Sequence, residues 1–317
     1  MEGDNIIDAI RFEVAKVVIG QNKVIDSVIR TILSNGNLLI EGVPGLAKTV
    51  LINAFSKILG CGFKRVQFTT DLLPSDIIGI NSFDAEFKRY KIIEGPVFTN
   101  LLLADEINRA SPKVQSALLE AMAEKQVTIG TETKELAKPF FVFATQNPLE
   151  SLGTYPLPQA QLDRFIFKLI IEYPSMSEES QILDIRLGDG QYQSVKELLN
   201  PKSIIELQKK VSNLHVSQSI KEYIINIINA TRFPHKYNLE FAEYISVGCG
   251  PRATISLATA SKAEAFMNNR DYVIPHDVKE IAADVLRHRM EVNYLGQAKG
   301  ISTDDIIQEI LFKIEVP

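Results

Sequence analysis

The sequence predicts an α/β protein: a parallel sheet covered by helices on both faces, followed by a second domain that is almost wholly helical. Three observations carry this expectation. Short apolar segments alternate with segments of helical periodicity from the N-terminus to Tyr173, the pattern of a parallel sheet buried between helices. One apolar segment runs straight into a Gly/Pro-rich turn ending in Lys48-Thr49, and another ends in Asp105-Glu106. Beyond Tyr173-Pro174-Ser175 the alternation stops and helical spacing takes over.

Taken in order, Ile6, Ile7, Ile10 and Val14 repeat at helical spacing, as do Val24, Val28 and Ile32, with a short break at 17–21 between them. Candidate strands follow at 37–42, 63–69, 100–105, 140–146 and 165–173, five in all, with helical stretches at 48–59 and 112–125. Two polar insertions read as hairpins. One covers 79–95 and carries Phe83, Phe87 and Tyr90; the other covers 126–136 and turns at Gly130. A second domain is expected from 175, giving domains of 1–174 and 175–317. Its clearest helix starts at Pro275, a favoured first helical residue, and aligns Val278, Ile281, Ala282, Val285 and Leu286 on one face. The sequence contains no internal repeat and no low-complexity segment.

Composition narrows the function classes. The chain of 317 residues is 45% hydrophobic and 23% charged, enough to bury a large core. Its formal charge of −5 and the lack of any densely basic stretch disfavour sequence-independent nucleic-acid binding. Cys61 and Cys249 have no partners at metal spacing and read as buried small residues in a reducing compartment. His215, His235, His276 and His288 form no ligand pattern and read as surface or packing residues. The N-terminus lacks a basic and apolar leader, and no run approaches the ~20 apolar residues that span a bilayer. The expectation is a soluble, cytoplasmic protein.

Residues 37–49, Asn-Leu-Leu-Ile-Glu-Gly-Val-Pro-Gly-Leu-Ala-Lys-Thr, carry the first functional signal. A buried strand delivers a loop whose backbone N–H groups curl around an anion, and a helix N-terminus points its positive end at the same place. Lys48 would neutralise the β- and γ-phosphates, and the Thr49 hydroxyl would bind Mg²⁺. Gly42, Lys48 and Thr49 keep the phosphate-loop register, with Ala47 in place of the second glycine. The competing reading is an ordinary strand-to-helix turn with a surface lysine. In Asn-Leu-Leu-Leu-Ala-Asp-Glu at 100–106, two acids end a strand of the buried type, where ligands of open α/β sheets bind. Asp105 is placed to hold Mg²⁺, and Glu106 to polarise a water for attack on the γ-phosphate. By itself an Asp-Glu pair reads as a solvated turn.

Three further positions point to hydrolysis. Asn147 ends an apolar run and could orient the attacking water, although Asn-Pro also initiates turns. Arg164, before Phe-Ile-Phe, could reach a neighbouring subunit's γ-phosphate, or pair with Asp163 on the surface. Gly250-Pro251-Arg252 opens a helix from which Arg252 could reach phosphate, or merely cap the helix.

Together these segments resemble the MoxR-type AAA+ ATPase family, in the branch that also holds magnesium chelatase ATPase subunits and MCM helicases. The resemblance rests on Gly-Val-Pro-Gly-Leu-Ala-Lys-Thr at 42–49, Asp-Leu-Leu-Pro-Ser-Asp-Ile at 71–77 and Leu-Ala-Asp-Glu-Ile-Asn-Arg-Ala at 103–110. Gln-Ser-Ala-Leu-Leu-Glu-Ala-Met at 115–122, Ala-Thr-Gln-Asn-Pro at 144–148 and Thr-Tyr-Pro-Leu-Pro-Gln-Ala-Gln-Leu-Asp-Arg-Phe at 154–165 complete it. It covers roughly residues 1–290, and Ala47 is usual in the family. The resemblance implies a P-loop NTPase (AAA+) fold with a five-stranded parallel sheet and an all-α lid, using ATP and Mg²⁺. By the same likeness Gly42, Val43, Pro44, Gly45, Leu46, Ala47, Lys48, Thr49 and Val50 form the nucleotide loop. Asp105 and Glu106 match the Walker B pair, and Asn147 matches the sensor 1 residue. Arg164 matches the arginine finger offered to the adjacent subunit, and Arg252 the sensor 2 arginine. Ile19, Gly20 and Gln21 match the segment lining the adenine pocket, and Arg109 faces the subunit junction. The hairpins match insertions that project towards a ring's axis. The family further implies a homo-oligomeric, hexameric ring that acts on a protein client, often beside a von Willebrand factor A-domain protein. It also implies remodelling, maturation or metal or cofactor insertion of that partner. The alternative is a DNA-translocating or switch ATPase of the same branch.

Overall fold

The structure, a computed structural model, describes residues 3–42, 48–84, 89–148, 153–187 and 194–317. The strands are β1 (Leu38–Glu41), β2 (Phe63–Gln67), β3 (Gly79–Asp84), β4 (Arg89–Glu94), β5 (Leu101–Asp105), β6 (Gln126–Ile129), β7 (Glu132–Glu135), β8 (Phe141–Gln146), β9 (Phe167–Ile170), β10 (Ile245–Val247) and β11 (Glu291–Val292). The helices begin with α1 (Gly3–Ala15), α2 (Asn22–Leu33), α3 (Lys48–Ile58), α4 (Pro74–Ile78), α5 (Pro112–Glu124), α6 (Gln159–Leu162) and α7 (Met176–Leu187). They continue with α8 (Pro201–Ser212), α9 (Gln218–Arg232), α10 (Pro251–Met267), α11 (Pro275–Leu286), α12 (Tyr294–Ala298) and α13 (Thr303–Lys313). The chain forms two compact units: Met1–Leu157 with Leu169–Glu206, and Pro158–Lys168 with Leu207–Pro317.

The five-stranded sheet has the order β2-β5-β8-β1-β9; the first unit holds β2, β5, β8 and β1 whole and Leu169 and Ile170 of β9. β1 pairs parallel with β8, and β5 pairs parallel with both β2 and β8. The strand sequences explain this order. Leu101–Ala104 and Phe141–Thr145 are buried throughout, as strands covered on both faces must be, whereas β2 (Phe-Lys-Arg-Val-Gln) is polar and lies at an edge. Phe55, Phe141 and Phe143 are fully buried in this unit, each contributing about 1.5–3 kcal/mol of transfer free energy. The expected insertions are antiparallel hairpins: β3 pairs with β4, and β6 with β7 around Gly130. Phe83 and Tyr90 meet edge to face across the first, with ring centroids 5.4 Å apart. Phe87 lies outside the described residues.

The second unit is mostly helical around the buried faces of α9, α10 and α11, including Ile224, Ile228, Leu257, Ala260, Val278 and Ile281. Helix starts follow local chemistry. Ser217 Oγ accepts from Ile220 N at the start of α9, Pro251 and Pro275 open α10 and α11, and Ser302 with Asp305 caps α13. One small antiparallel pair, β10–β11, departs from the all-helical expectation. At three and two residues these strands are too short to show an alternating pattern. A second correction concerns the cysteines: Cys249 is buried as expected, but Cys61 is only half-buried. His288 is buried and packs inside this unit. Among the described residues, no helix is long and apolar enough to cross a membrane.

Candidate functional site

In the first unit the sheet register brings chemistry to three adjacent strand ends. β8 lies between β5 and β1, so the residues leaving these strands share one edge of the sheet. Gly42 N donates to Gln146 O at 3.3 Å, which sets Gly42 level with the residue before Asn147. A side chain at Gly42 would put its Cβ 2.9 Å from the backbone oxygen of Ile171, so close strand packing requires glycine there. Val43, Pro44, Gly45, Leu46 and Ala47 lie outside the described residues. α3 opens with Lys48, followed by Thr49 and Val50 in its first turn. Lys48 Nζ donates to Gly42 O at 2.6 Å. Burial lowers the Lys48 pKa, and the charges of Asp105, Glu106 and Glu41 oppose that shift.

Asp105 ends β5 with both carboxylate oxygens engaged. Oδ1 accepts from Thr145 Oγ1 at 2.6 Å, and Oδ2 accepts from Arg65 Nη2 at 2.6 Å and Nε at 3.1 Å. Glu106 follows in the left-handed region, at φ 55° and ψ 51°. Its N–H donates to the same Thr145 hydroxyl at 2.9 Å, and its Oε2 pairs with Arg109 Nε at 2.9 Å. A single threonine therefore fixes the two acids: its hydroxyl donates to one carboxylate and accepts from the next residue's amide. Asn147, one residue past β8, is 7% exposed. The donor set suits Mg²⁺ with a triphosphate: a threonine hydroxyl and a carboxylate as hard oxygen ligands, a lysine for phosphate, and a helix N-terminus.

Ile19, Gly20 and Gln21 form the turn before α2. Gly20 and Gln21 have φ of 65° and 54°, and the Gln21 carbonyl accepts from Val24 N and Ile25 N. The Glu178 carboxylate packs directly on Gly20, where any side chain would overlap it. Backbone and side-chain hydrogen bonds from Ser175 lower the Glu178 pKa, with a further contribution from the Gln21 N–H.

Arg164 and Arg252 belong to the second unit. Arg164 follows α6, with its N–H bonded to Gln161 O at 3.2 Å. Arg252 lies in the first turn of α10 with 61% of its side chain exposed, and its Nη1 lies 3.8 Å from Asp163 Oδ2. Asp163 is bound more closely by Arg289, whose Nε lies 2.7 Å from Oδ1.

Four residues that touch these positions are not singled out by the sequence: Arg65, Thr145, Glu178 and Arg289. Thr145 was within reach, because it lies in the quoted Ala-Thr-Gln-Asn segment two residues before Asn147. The others come from elements distant in sequence, and no local pattern marks them.

Comparison with known proteins gives a consistent picture. Residues 37–167 match the model of the ATPase family associated with various cellular activities (AAA), and residues 239–310 match the AAA lid domain. "Uncharacterized protein YeaC" of Bacillus subtilis is 42% identical over 95% of this chain and 92% of its own length. Chaperone MoxR1 of Mycobacterium tuberculosis is 41% identical over 96% of this chain and 81% of its own. A crystal structure of a "putative ATPase" from Cytophaga hutchinsonii superposes with a TM-score of 0.93 at 45% identity, covering 99% of this chain and 96% of that one.

Proposed function

Because the chain belongs to the MoxR-type AAA+ ATPase family, we propose that it hydrolyses ATP at the seams of a homo-oligomeric ring to remodel or mature a partner protein. The chain is a nucleotide-binding ATPase; the division of labour among its residues is our reading. The observation that carries it is the grouping of Gly42, Asp105, Glu106 and Asn147 at neighbouring strand ends, with Lys48 at the start of α3 bonded to Gly42 O and Thr145 aligning the two acids. Glu106 takes a proton from water as the water oxygen bonds to the γ-phosphorus and the bond to the β-phosphate oxygen breaks, leaving ADP and phosphate. Asn147 orients that water, and Lys48 offsets charge on the phosphates. Thr49 and Asp105 would hold Mg²⁺, which supplies further charge neutralisation. For Asp105 to do so, its Oδ2 exchanges the exposed Arg65 guanidinium for a ligand role. Ile19, Gly20 and Gln21 receive the adenine, and the loop from Gly42 to Val50 receives the phosphates.

Arg164 acts on the neighbouring subunit's nucleotide and Arg252 on its own, so an isolated subunit turns over slowly. Arginine fingers supply ~10³–10⁵ in rate. Arg164→Ala is expected to keep ATP affinity and lose turnover, and Glu106→Gln to bind ATP without hydrolysing it. Both are read as phosphate release with no acceptor added. Normal hydrolysis by assembled Arg164→Ala would end the seam reading. A hexamer, a von Willebrand factor A-domain partner and a metal- or cofactor-insertion outcome belong to the same proposal and rest on the family resemblance; the relative named Chaperone MoxR1 supports only action on a client protein. Native mass spectrometry reads ring size, and affinity capture on Glu106→Gln reads the partner. We place the activity in the cytoplasm, consistent with two free thiols.

A further inference from the structure

Arg289 is a charged side chain with 1% exposure that the chemistry above leaves unused. A guanidinium has five N–H donors, and all five are spent here. Nε donates to Asp163 Oδ1 at 2.7 Å. Nη1 donates to Ile166 O at 3.1 Å and to Val285 O. Nη2 donates to Phe165 O at 2.6 Å and Ser256 Oγ at 3.1 Å. Three of these acceptors, on Asp163, Phe165 and Ile166, bracket Arg164. The neighbouring residues hold the same stretch: His288 Nε2 donates to Phe165 O at 3.0 Å, and Arg287 Nη1 donates to Lys168 O at 2.7 Å. Residues 158–168 accordingly cluster with the helical unit. The second oxygen of Asp163 faces Arg252 at 3.8 Å.

We infer that Arg289 is a positioning residue that fixes Arg164 to the helical unit of its own subunit and, through the shared Asp163 carboxylate, links it to Arg252. This rests on the reading of Arg164 as acting on the neighbour's nucleotide and Arg252 on the subunit's own. The physical case is that one rigid, fully saturated fork grips the backbone on the C-terminal side of Arg164 and the side chain on its N-terminal side. A shift of Arg252 towards phosphate therefore withdraws one partner from Asp163 and alters the anchor of Arg164. Lysine cannot reproduce the fork, having three donors on a flexible stem. The geometry thus ties the state of one nucleotide site to the arginine presented to the next.

The test uses mixed assemblies of the full-length chain. Wild-type subunits are mixed with an excess of donor subunits carrying Glu106→Gln, so that only wild-type sites turn over. Donors additionally carry Asp163→Asn, Arg289→Lys or Arg164→Ala, each first checked for wild-type circular dichroism and ATP affinity. Displacing a catalytic group by about 1 Å can cost 10²-fold. The Asp163→Asn and Arg289→Lys donors are therefore expected to lower kcat at wild-type sites about 10–100-fold against the Glu106→Gln donor, with KM unchanged. Adding either substitution to the Arg164→Ala donor should cost nothing more. If the Arg164→Ala donor impairs its neighbours while Asp163→Asn and Arg289→Lys donors do not, the positioning role is wrong and the seam reading stands. If the Arg164→Ala donor is harmless, the seam reading falls and takes this inference with it.

Discussion

Thr145→Val is the most informative single perturbation of the strand-end cluster. Threonine and valine have nearly the same shape, and Thr145 is 1% exposed, so the change removes a hydroxyl and little else. Two bonds go with it: the 2.6 Å donation to Asp105 Oδ1 and the 2.9 Å acceptance from Glu106 N. A hydrogen bond to a charged group is worth about 1.5–3 kcal/mol, and a buried N–H left unpaired costs about 1–3 kcal/mol. Asp105 keeps 17% side-chain exposure, so water recovers part of the carboxylate's loss. A net destabilisation of about 2–3 kcal/mol is expected. With a urea slope of about 2–3 kcal/mol/M, the unfolding midpoint should fall by roughly 1 M at unchanged slope. Thr145→Ser keeps the hydroxyl and should lose far less stability and retain turnover, whereas Thr145→Val should lose turnover as the two acids drift. A valine variant with wild-type midpoint and hydrolysis would refute the claim that this hydroxyl aligns Asp105 and Glu106.

Three other outcomes follow from buried titratable groups. His288 is buried, and desolvation first and the Arg289 charge next hold its pKa well below 6.5. Its bond to Phe165 O has a raising effect, and Lys168 and Arg287 add smaller lowering contributions. The unfolded chain then takes up a proton that the folded one refuses. Stability should fall as pH drops below about 6.5, by up to about 1.4 kcal/mol per pH unit, and His288→Gln should flatten that slope in urea titrations. Burial lowers the Lys125 ammonium to a pKa of about 8, where it donates to Phe140 O. The unfolded state binds more protons between that value and the ordinary 10.5, so wild type should gain stability relative to Lys125→Met as pH rises through this window. A constant difference would show that the amine is solvated. Burial pushes the thiols of Cys61 and Cys249 to about 11. Maleimide at neutral pH should label the native protein roughly 100-fold more slowly than the urea-unfolded chain, with half-buried Cys61 reacting first.

Much of the fold was legible because parallel strands buried on both faces leave uninterrupted apolar runs, and Leu101–Ala104 and Phe141–Ala144 are such runs. Gly42, Lys48, Asp105 and Glu106 were legible for a related reason: chemistry in open α/β sheets gathers where strands end, and strand ends can be read locally. Arg65 and Arg289 were not. Each acts across a gap of 40 to 126 residues, on Asp105 and Asp163 respectively, and nothing within a local window distinguishes them from surface arginines. The grouping of residues 158–168 with the helical unit escaped for the same reason, since it depends on donors from Arg287, His288 and Arg289 far along the chain. Hairpin content was evident, but β10 and β11 were too short to leave a period.

The order β2-β5-β8-β1-β9 also bears on how the chain is made. β1 is apolar through Leu38, Leu39 and Ile40, yet its partner on β8 lies 105 residues downstream, and β9 later still. At a synthesis rate of about 5–20 residues per second, β1 leaves the ribosome roughly 5–20 s before either flanking strand exists. During that interval its ladder groups have no mate in the nascent polypeptide. Slowing translation between β1 and β8 should therefore lengthen the period in which an aggregation-prone strand waits for closure.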